Sequence, residues 1–426
     1  MNNTKLHVLL QLLPVFITIV LARLSTLGLS PVSFDLPELP SFNPDNRLVN
    51  VPIERLGEND LVYPESFVLS TDKQYAFISL GDGRIVRIKE PMGEEIQWQT
   101  LGRTGDVDEV GSKTCGKGGP ADISNSEEKC GRPLGLWLTS RQSVDIHVET
   151  DKDVLLVADA YKGFIIFTNV YGEQPKMYTL ATRAVSDPSE YNFKLLNAVV
   201  QIPNGDIYIT ETSQHFQRRR IFHAAMDGKP TGRLLRYQPT QGVVEVVADK
   251  LFLPNGLTLS HDKKSLLIVC GVRILRFDLA TQQMDPTPFV NVMPGTGDNI
   301  KTTDVSLYGK KVKCYFAALG GTYKKPFSLL KFVSDKPWFR SVLLALVPYR
   351  IIIDLIPKWT ALAVYDENGK LIETLTDDGT AILDENGKKI PLVAPWISEF
   401  ELVGDYMYLS SWYNPFLARI KRADFV

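Results

Sequence analysis

A chain of 426 residues that is 44% hydrophobic and 23% charged has ample material for a sizeable core, which excludes intrinsic disorder. Its formal net charge of −2, with acidic and basic residues interspersed, gives no basic face for nucleic acid. Length alone allows two or three domains, but β architectures often exceed the average domain size, so the count has to come from pattern.

The first element is an apolar run from Leu6 to Ala22, interrupted by His7, Gln11, Pro14 and Thr18 and flanked by Lys5 and Arg23. A run of about 17 residues is at the lower limit for crossing a bilayer and above a typical signal-peptide core, so an anchor and a cleaved signal both fit. Arg23 directly after Ala22 makes a poor cleavage pattern and favours the anchor. Lys5 and the amino terminus lean towards a cytosolic N-terminus. Residues 1–23 are therefore expected to anchor a single-pass type II protein in the plasma membrane or an endomembrane, with the rest lumenal or extracellular. The sequon at Asn2 then lies on the cytosolic side and stays unmodified. Residues 24–60, rich in Pro, Ser, Leu and Asn without a sustained period, read as a linker.

From Tyr63 the chain alternates apolar and polar residues in short runs separated by Thr71-Asp72-Lys73 and Gly81-Asp82-Gly83 turns, which is a β-meander. The same order returns at 131–168, 195–247 and 253–279, from 298 with later strands at 361–375, and at 397–421. Six such units of roughly 40 to 50 residues, none able to bury both faces alone, predict an all-β six-bladed propeller over 61–426. Insertions at 214–228 (basic and aromatic) and 326–357 (helix-like and apolar, broken by Pro348) read as a helical cap or lid. Resting on a bilayer surface is the alternative for the second.

Cys115 and Cys130 bracket a Gly-, Ser- and Lys-rich segment, and in an oxidising compartment a disulfide there would contribute roughly 3 kcal/mol. Zinc lacks a second Cys or His pair at ligand spacing. Cys270 and Cys314 lie in apolar strand-like runs and read as buried thiols.

The innermost strand of a propeller blade begins near the central channel, so polar residues at unit starts converge on one axis. Here the starts carry Glu65, Asn197, Asn255 and the pair Asp298-Asn299. Singly, each asparagine is ordinary turn chemistry. Together the five are hard oxygen donors with two negative charges, a set that suits Ca²⁺ better than Mg²⁺. His215 and His223 fall in the first insertion and read as loop or cap residues. Arg218, Arg219 and Arg220 read as a solvated or salt-bridged run, with attraction of an anionic substrate or headgroup as the alternative.

Several motifs carry a family resemblance: PESF at 64–67, CGRPLGL at 130–136, VADAYKGF at 157–164, GRLLRY at 232–237, PNG at 254–256, and MPG and DNI at 293–300. QRR at 217–219, KPW at 336–338 and ISE at 397–399 extend it. On these the chain resembles the strictosidine-synthase-like proteins, within a superfamily that includes paraoxonases and gluconolactonases. The resemblance implies calcium-dependent hydrolysis of a small ester or lactone, arylesterase-like. One axial Ca²⁺ would be held by Glu65, Asn197, Asn255, Asp298 and Asn299, with Asp298 positioning or deprotonating water. Leu134 stands where paraoxonases place a catalytic histidine, and Ser66 and Ala198 replace the acids of their second calcium site. Asn255 and the displaced Glu399 argue against strictosidine synthase-type condensation. A non-catalytic propeller with a structural metal, acting as a membrane-bound interaction protein, is the alternative.

Overall fold

The expected alternation forms real sheets, and the turns between them explain their register. The computed structural model describes residues 14–22, 26, 28–38, 45–106, 114–116, 126–140, 153–307, 310–322, 329–379 and 394–422. A short first strand β1 (Glu54–Leu56) precedes a first blade of β2 (Phe67–Leu69), β3 (Tyr75–Ser79), β4 (Arg84–Lys89) and β5 (Gln97–Arg103). The second blade is β6 (Pro133–Ser140), β7 (Asp153–Asp159), β8 (Gly163–Thr168) and β9 (Lys176–Ala181), and the third is β10 (Leu196–Gln201), β11 (Ile207–Glu211), β12 (Gly232–Gln238) and β13 (Val243–Leu251). The fourth is β14 (Pro254–Leu259), β15 (Ser265–Cys270), β16 (Arg273–Asp278) and β17 (Gln283–Met284). The fifth is β18 (Gly295–Leu307), β19 (Lys310–Thr322), β20 (Thr360–Asp366) and β21 (Leu371–Asp377). The sixth is β22 (Ile397–Val403), β23 (Tyr406–Ser411) and β24 (Leu417–Lys421), completed by β1 at its outer edge.

All pairings are antiparallel, as hairpin connections dictate. Apolar faces of neighbouring blades pack together: Phe316, Leu362 and Val364 of the fifth meet Phe400, Met407 and Leu409 of the sixth. Burying each large side chain contributes roughly 1.5–3 kcal/mol. At Gly83 (φ 88°) an added Cβ would lie 1.9 Å from the Cys130 carbonyl oxygen, so this turn admits only glycine.

One expectation changes here. The 24–60 linker is not all spacer, because β1 lies within it and pairs with β24, Glu54 opposite Arg419. Leu48 and Val51 are also buried in the core between the fifth and sixth blades. Closing the ring removes the free edge that a three-stranded last blade would leave on β24. At the N-terminus, residues 14–22 are helical, while 1–13 and 23–25 lie outside the described residues, as does the Asn2 sequon. Among the described residues no helix is long and apolar enough to cross a membrane.

The insertions do form a cap. Ile221–Asp227 is helical and ends at Gly228 in the left-handed conformation. Leu329–Ser334, Pro337–Leu346 and Tyr349–Leu355 are three further short helices, the second opening on Pro337 and the third capped by Pro348. Met226 of the first insertion packs with Val333, Leu344 and Ile352 of the second.

Candidate functional site

The candidate ligands stand where the inner strands depart from regular pairing. Register slips between Leu196 and Val199 in β10, between Pro254 and Leu257 in β14, and between Gly297 and Ile300 in β18. Asn197, Asn255 and the Asp298-Asn299 pair occupy these bulges, which re-aim side chains that a regular strand would alternate. The same irregularity places Leu134 in β6 and Ser398 in β22. Each blade start thus has an equivalent position, with Glu65 just ahead of β2.

Hydroxyls tie these starts together. Ser79 Oγ accepts from the Ser66 N–H at 3.0 Å and donates to the Leu134 carbonyl at 3.0 Å. Thr210 repeats the device, accepting from the Ala198 N–H at 2.9 Å and donating to the Asn255 carbonyl at 2.7 Å. At Gly256, a Cβ would come within 2.5 Å of Asn299 Cα, so glycine allows the fourth and fifth bulges to approach.

Asp298 is buried, and its carboxyl is pushed well above the usual carboxylate range by burial first and the Glu65 charge second. A hydrogen bond from the Asn255 amide and the charge of Arg218 act against that rise. Asn255 Oδ1 and Asp298 Oδ1 are nevertheless buried with no hydrogen-bond partner. Two neighbouring orphaned oxygens are what a hard cation would satisfy. Among the described residues no group of three or more His, Cys, Asp or Glu is arranged to hold a metal, and this set instead takes three of its five donors from asparagine.

Three basic residues around these ligands were not assigned there from the sequence. Arg132 is buried and bonds Glu65 Oε2 through Nη2 at 2.9 Å. Burial pushes both members of the pair towards their neutral forms, and their mutual charge opposes it. Lys301, on β18, is ion-paired with Glu399 and Glu401 of β22 and donates to the Phe67 carbonyl at 2.7 Å. Burial disfavours the ammonium, but the two carboxylates raise its pKa overall. Arg218 takes the salt-bridged alternative and is buried in doing so: its side chain is 11% exposed, bonds Glu127 Oε1 at 2.9 Å and lies 5.9 Å from the Trp412 ring. Burial works against its charge, and Glu127 with Glu65 more than offsets that. The spacing of CGRPLGL or QRR carries no signal for these pairings, because the partners lie 67 and 91 residues away.

The network contains five carboxylates (Glu65, Glu127, Asp298, Glu399 and Glu401) against three cations (Arg132, Arg218 and Lys301), leaving two negative charges when all are ionised. One divalent ion balances it, and a proton on Asp298 relieves it in part. The residues present therefore fit a hard divalent cation.

Cys115 and Cys130 are disulfide-bonded, with Cα atoms 5.9 Å apart. Cys270 and Cys314 are buried thiols. His215 is exposed and His223 is buried in the cap, stacked on Tyr349 at 5.6 Å. Burial first and the Arg220 charge second lower the His223 pKa. Leu134 packs with Ala160 and Leu195 and touches Ile221 of the cap, so an apolar side chain takes one place in the ring.

Residues 197–281, which include Asn197, Arg218 and Asn255, match the strictosidine synthase family model. Over that stretch the chain is similar to strictosidine synthases. It is 29% identical over 397 residues to the adipocyte plasma membrane-associated protein of Gallus gallus, covering 92% of this chain and 83% of that one. The Homo sapiens protein of that name is 28% identical over 398 residues, covering 92% and 82%. Protein strictosidine synthase-like 13 of Arabidopsis thaliana is 29% identical over 341 residues, 76% of each chain. A solved gluconolactonase from Xanthomonas campestris superposes with a TM-score of 0.48 at 14% identity, covering 92% and 97%, too distant a likeness to bear on this site.

Proposed function

We propose that the chain is a membrane-held, arylesterase-like hydrolase of small esters or lactones whose axial site works with one calcium ion. The observation that carries this reading is the adjacent pair of orphaned oxygens, Asn255 Oδ1 and Asp298 Oδ1, inside a network two positive charges short of balance. Glu65, Asn197, Asn255, Asp298 and Asn299 would hold the ion. When bound, calcium supplies polarisation of a carbonyl oxygen and stabilisation of the developing oxyanion.

This chain's own residues do the rest. Asp298 positions or deprotonates the attacking water. Arg218 adds positive charge beside the axis, while Trp412 and the capping aromatics Phe222 and Tyr349 exclude bulk water. The Asn255 amide orients the Asp298 carboxylate. An N-terminal anchor is supported by the apolar 14–22 helix and by the names of the relatives, and the disulfide favours an oxidising, lumenal or extracellular side for the propeller.

Leu134 in the ring supports a second reading, a non-catalytic propeller with a structural ion. The full-length chain in detergent, assayed on phenyl acetate and simple lactones with Ca²⁺ or EDTA, separates the two. EDTA, Asp298→Ala and Asn255→Ala are each expected to cut turnover by about a hundredfold, the scale of losing one transition-state-stabilising group. Calcium binding without metal-dependent turnover leaves the structural reading; no divalent binding removes the site assignment altogether.

A further inference from the structure

We infer that the outer face of the cap is a docking surface for a lipid bilayer, so that the propeller rests with its capped end against the membrane. Among the described residues fourteen large hydrophobic side chains are exposed, and their distribution is uneven. Met92, Tyr178, Val185 and Ile372 are scattered over the blades. The other ten belong to the cap helices, to the strap 28–36 that crosses the cap, or to the 14–22 helix. Trp338, at 67% exposure, and Leu346 are eight residues apart on Pro337–Leu346 with half-buried Val342 between them, one stripe of that helix. Its opposite face buries Arg340 and Leu344 against the rest of the cap. Phe332 and Ile351 extend the apolar surface onto the flanking helices. The Lys336 ammonium lies 4.6 Å from the Phe332 ring centroid, the arrangement of an apolar stem and charged head at a headgroup boundary.

The strap connects this surface to the N-terminus. Ser30 N–H donates to Asp227 Oδ1 at 2.9 Å, Val32 N–H to the Asp227 carbonyl at 2.9 Å, and Phe34 N–H to the Ser334 carbonyl at 3.2 Å. Eight residues from Ala22 to Ser30 span at most about 28 Å. The 14–22 helix, with five apolar side chains exposed, is tethered within that distance of the strap. The cap helices and the tethered N-terminal helix are thus two separate pieces of chain that present apolar side chains within one short reach of each other. A bilayer covers both with one plane, whereas a protein partner would need a matched groove for each. Lys331, Lys336 and Arg350 are accompanied by Asp335 and Asp354, so the surface calls for no anionic lipid.

Docking stands whether or not the axis turns over a substrate. The full-length chain bound to phosphatidylcholine vesicles, carrying an environment-sensitive fluorophore at Trp338→Cys or at Asn204→Cys on the β10–β11 turn at the far end, tests it. The label at 338 is expected to shift to the blue and to be quenched most by nitroxides at shallow acyl carbons, because interfacial helices sit roughly 5–10 Å into the headgroup and acyl boundary. The label at 204 is expected to stay in water. A water-exposed label at 338 on vesicle-bound protein means that the N-terminus alone holds the chain and overturns the proposal. Equal quenching at both positions, or no vesicle binding, overturns it as well.

Discussion

A histidine beside three arginines is an obvious place to look for a catalytic base, and His223 has instead been made part of an apolar layer. Burial, with Arg220 adding to it, pushes its pKa down to about 4, and its Nδ1 has no hydrogen-bond partner. A lowered folded pKa leaves stability intact above the ordinary value near 6.5 and removes it as pH falls towards 4. The loss attributable to this residue is up to about 3 kcal/mol. His223→Phe, which keeps a ring against Tyr349, is expected to show a smaller drop in urea stability between pH 7 and pH 4.5 than the native chain. Equal drops would mean that the imidazole is solvated on protonation. At the same scale, Asn255 and Asp298 were legible as candidates because blade starts converge by construction. The Arg132 and Lys301 pairings were not, since a lone basic residue in a loop or strand is most often solvated.

The five-residue helix Ser126–Cys130 does more than its length suggests. Its Glu127 accepts from Arg218 at 2.9 Å and from the Tyr161 hydroxyl at 2.7 Å. Cys130 anchors it to Cys115, and Arg132 two residues on holds Glu65. The disulfide therefore braces charges at the axis as well as shortening the unfolded chain. Cys115→Ser with Cys130→Ser is expected to cost about 3 kcal/mol in unfolding free energy. It is also expected to speed amide exchange at 218–227, where Arg218 loses its fixed partner. Unchanged exchange there, with the stability loss present, would confine the disulfide to a chain-entropy role. Strand elements themselves were readable from period-two alternation between Gly- and Asp-bearing turns. The bulges that re-aim Asn197, Asn255 and Asp298 were not, because a one-residue register slip leaves no compositional mark.

At the scale of the whole molecule, the ring is closed by a three-residue strand some 360 residues from its partner. Arg419 donates to Glu54 Oε2 at 2.7 Å and to the Gly93 and Glu94 carbonyls at 2.6 and 2.7 Å, joining the last blade to the first. A chain shortened to begin at residue 58 is expected to expose β24 as an open edge and to aggregate more readily, by light scattering, than one beginning at residue 45. Similar behaviour of the two would show that β1 is dispensable. The sequence by itself determined the six-unit β architecture, the capping insertions, the disulfide and the oxygen-rich blade starts, because each is written in local period, composition or spacing. Only the tertiary structure decided that β1 completes the last blade, that Arg132, Arg218 and Lys301 are buried counter-charges, and that the strap and cap share one end. Those outcomes depend on which distant residues meet when the ring closes, and burial then turns a surface-like charge into part of the site.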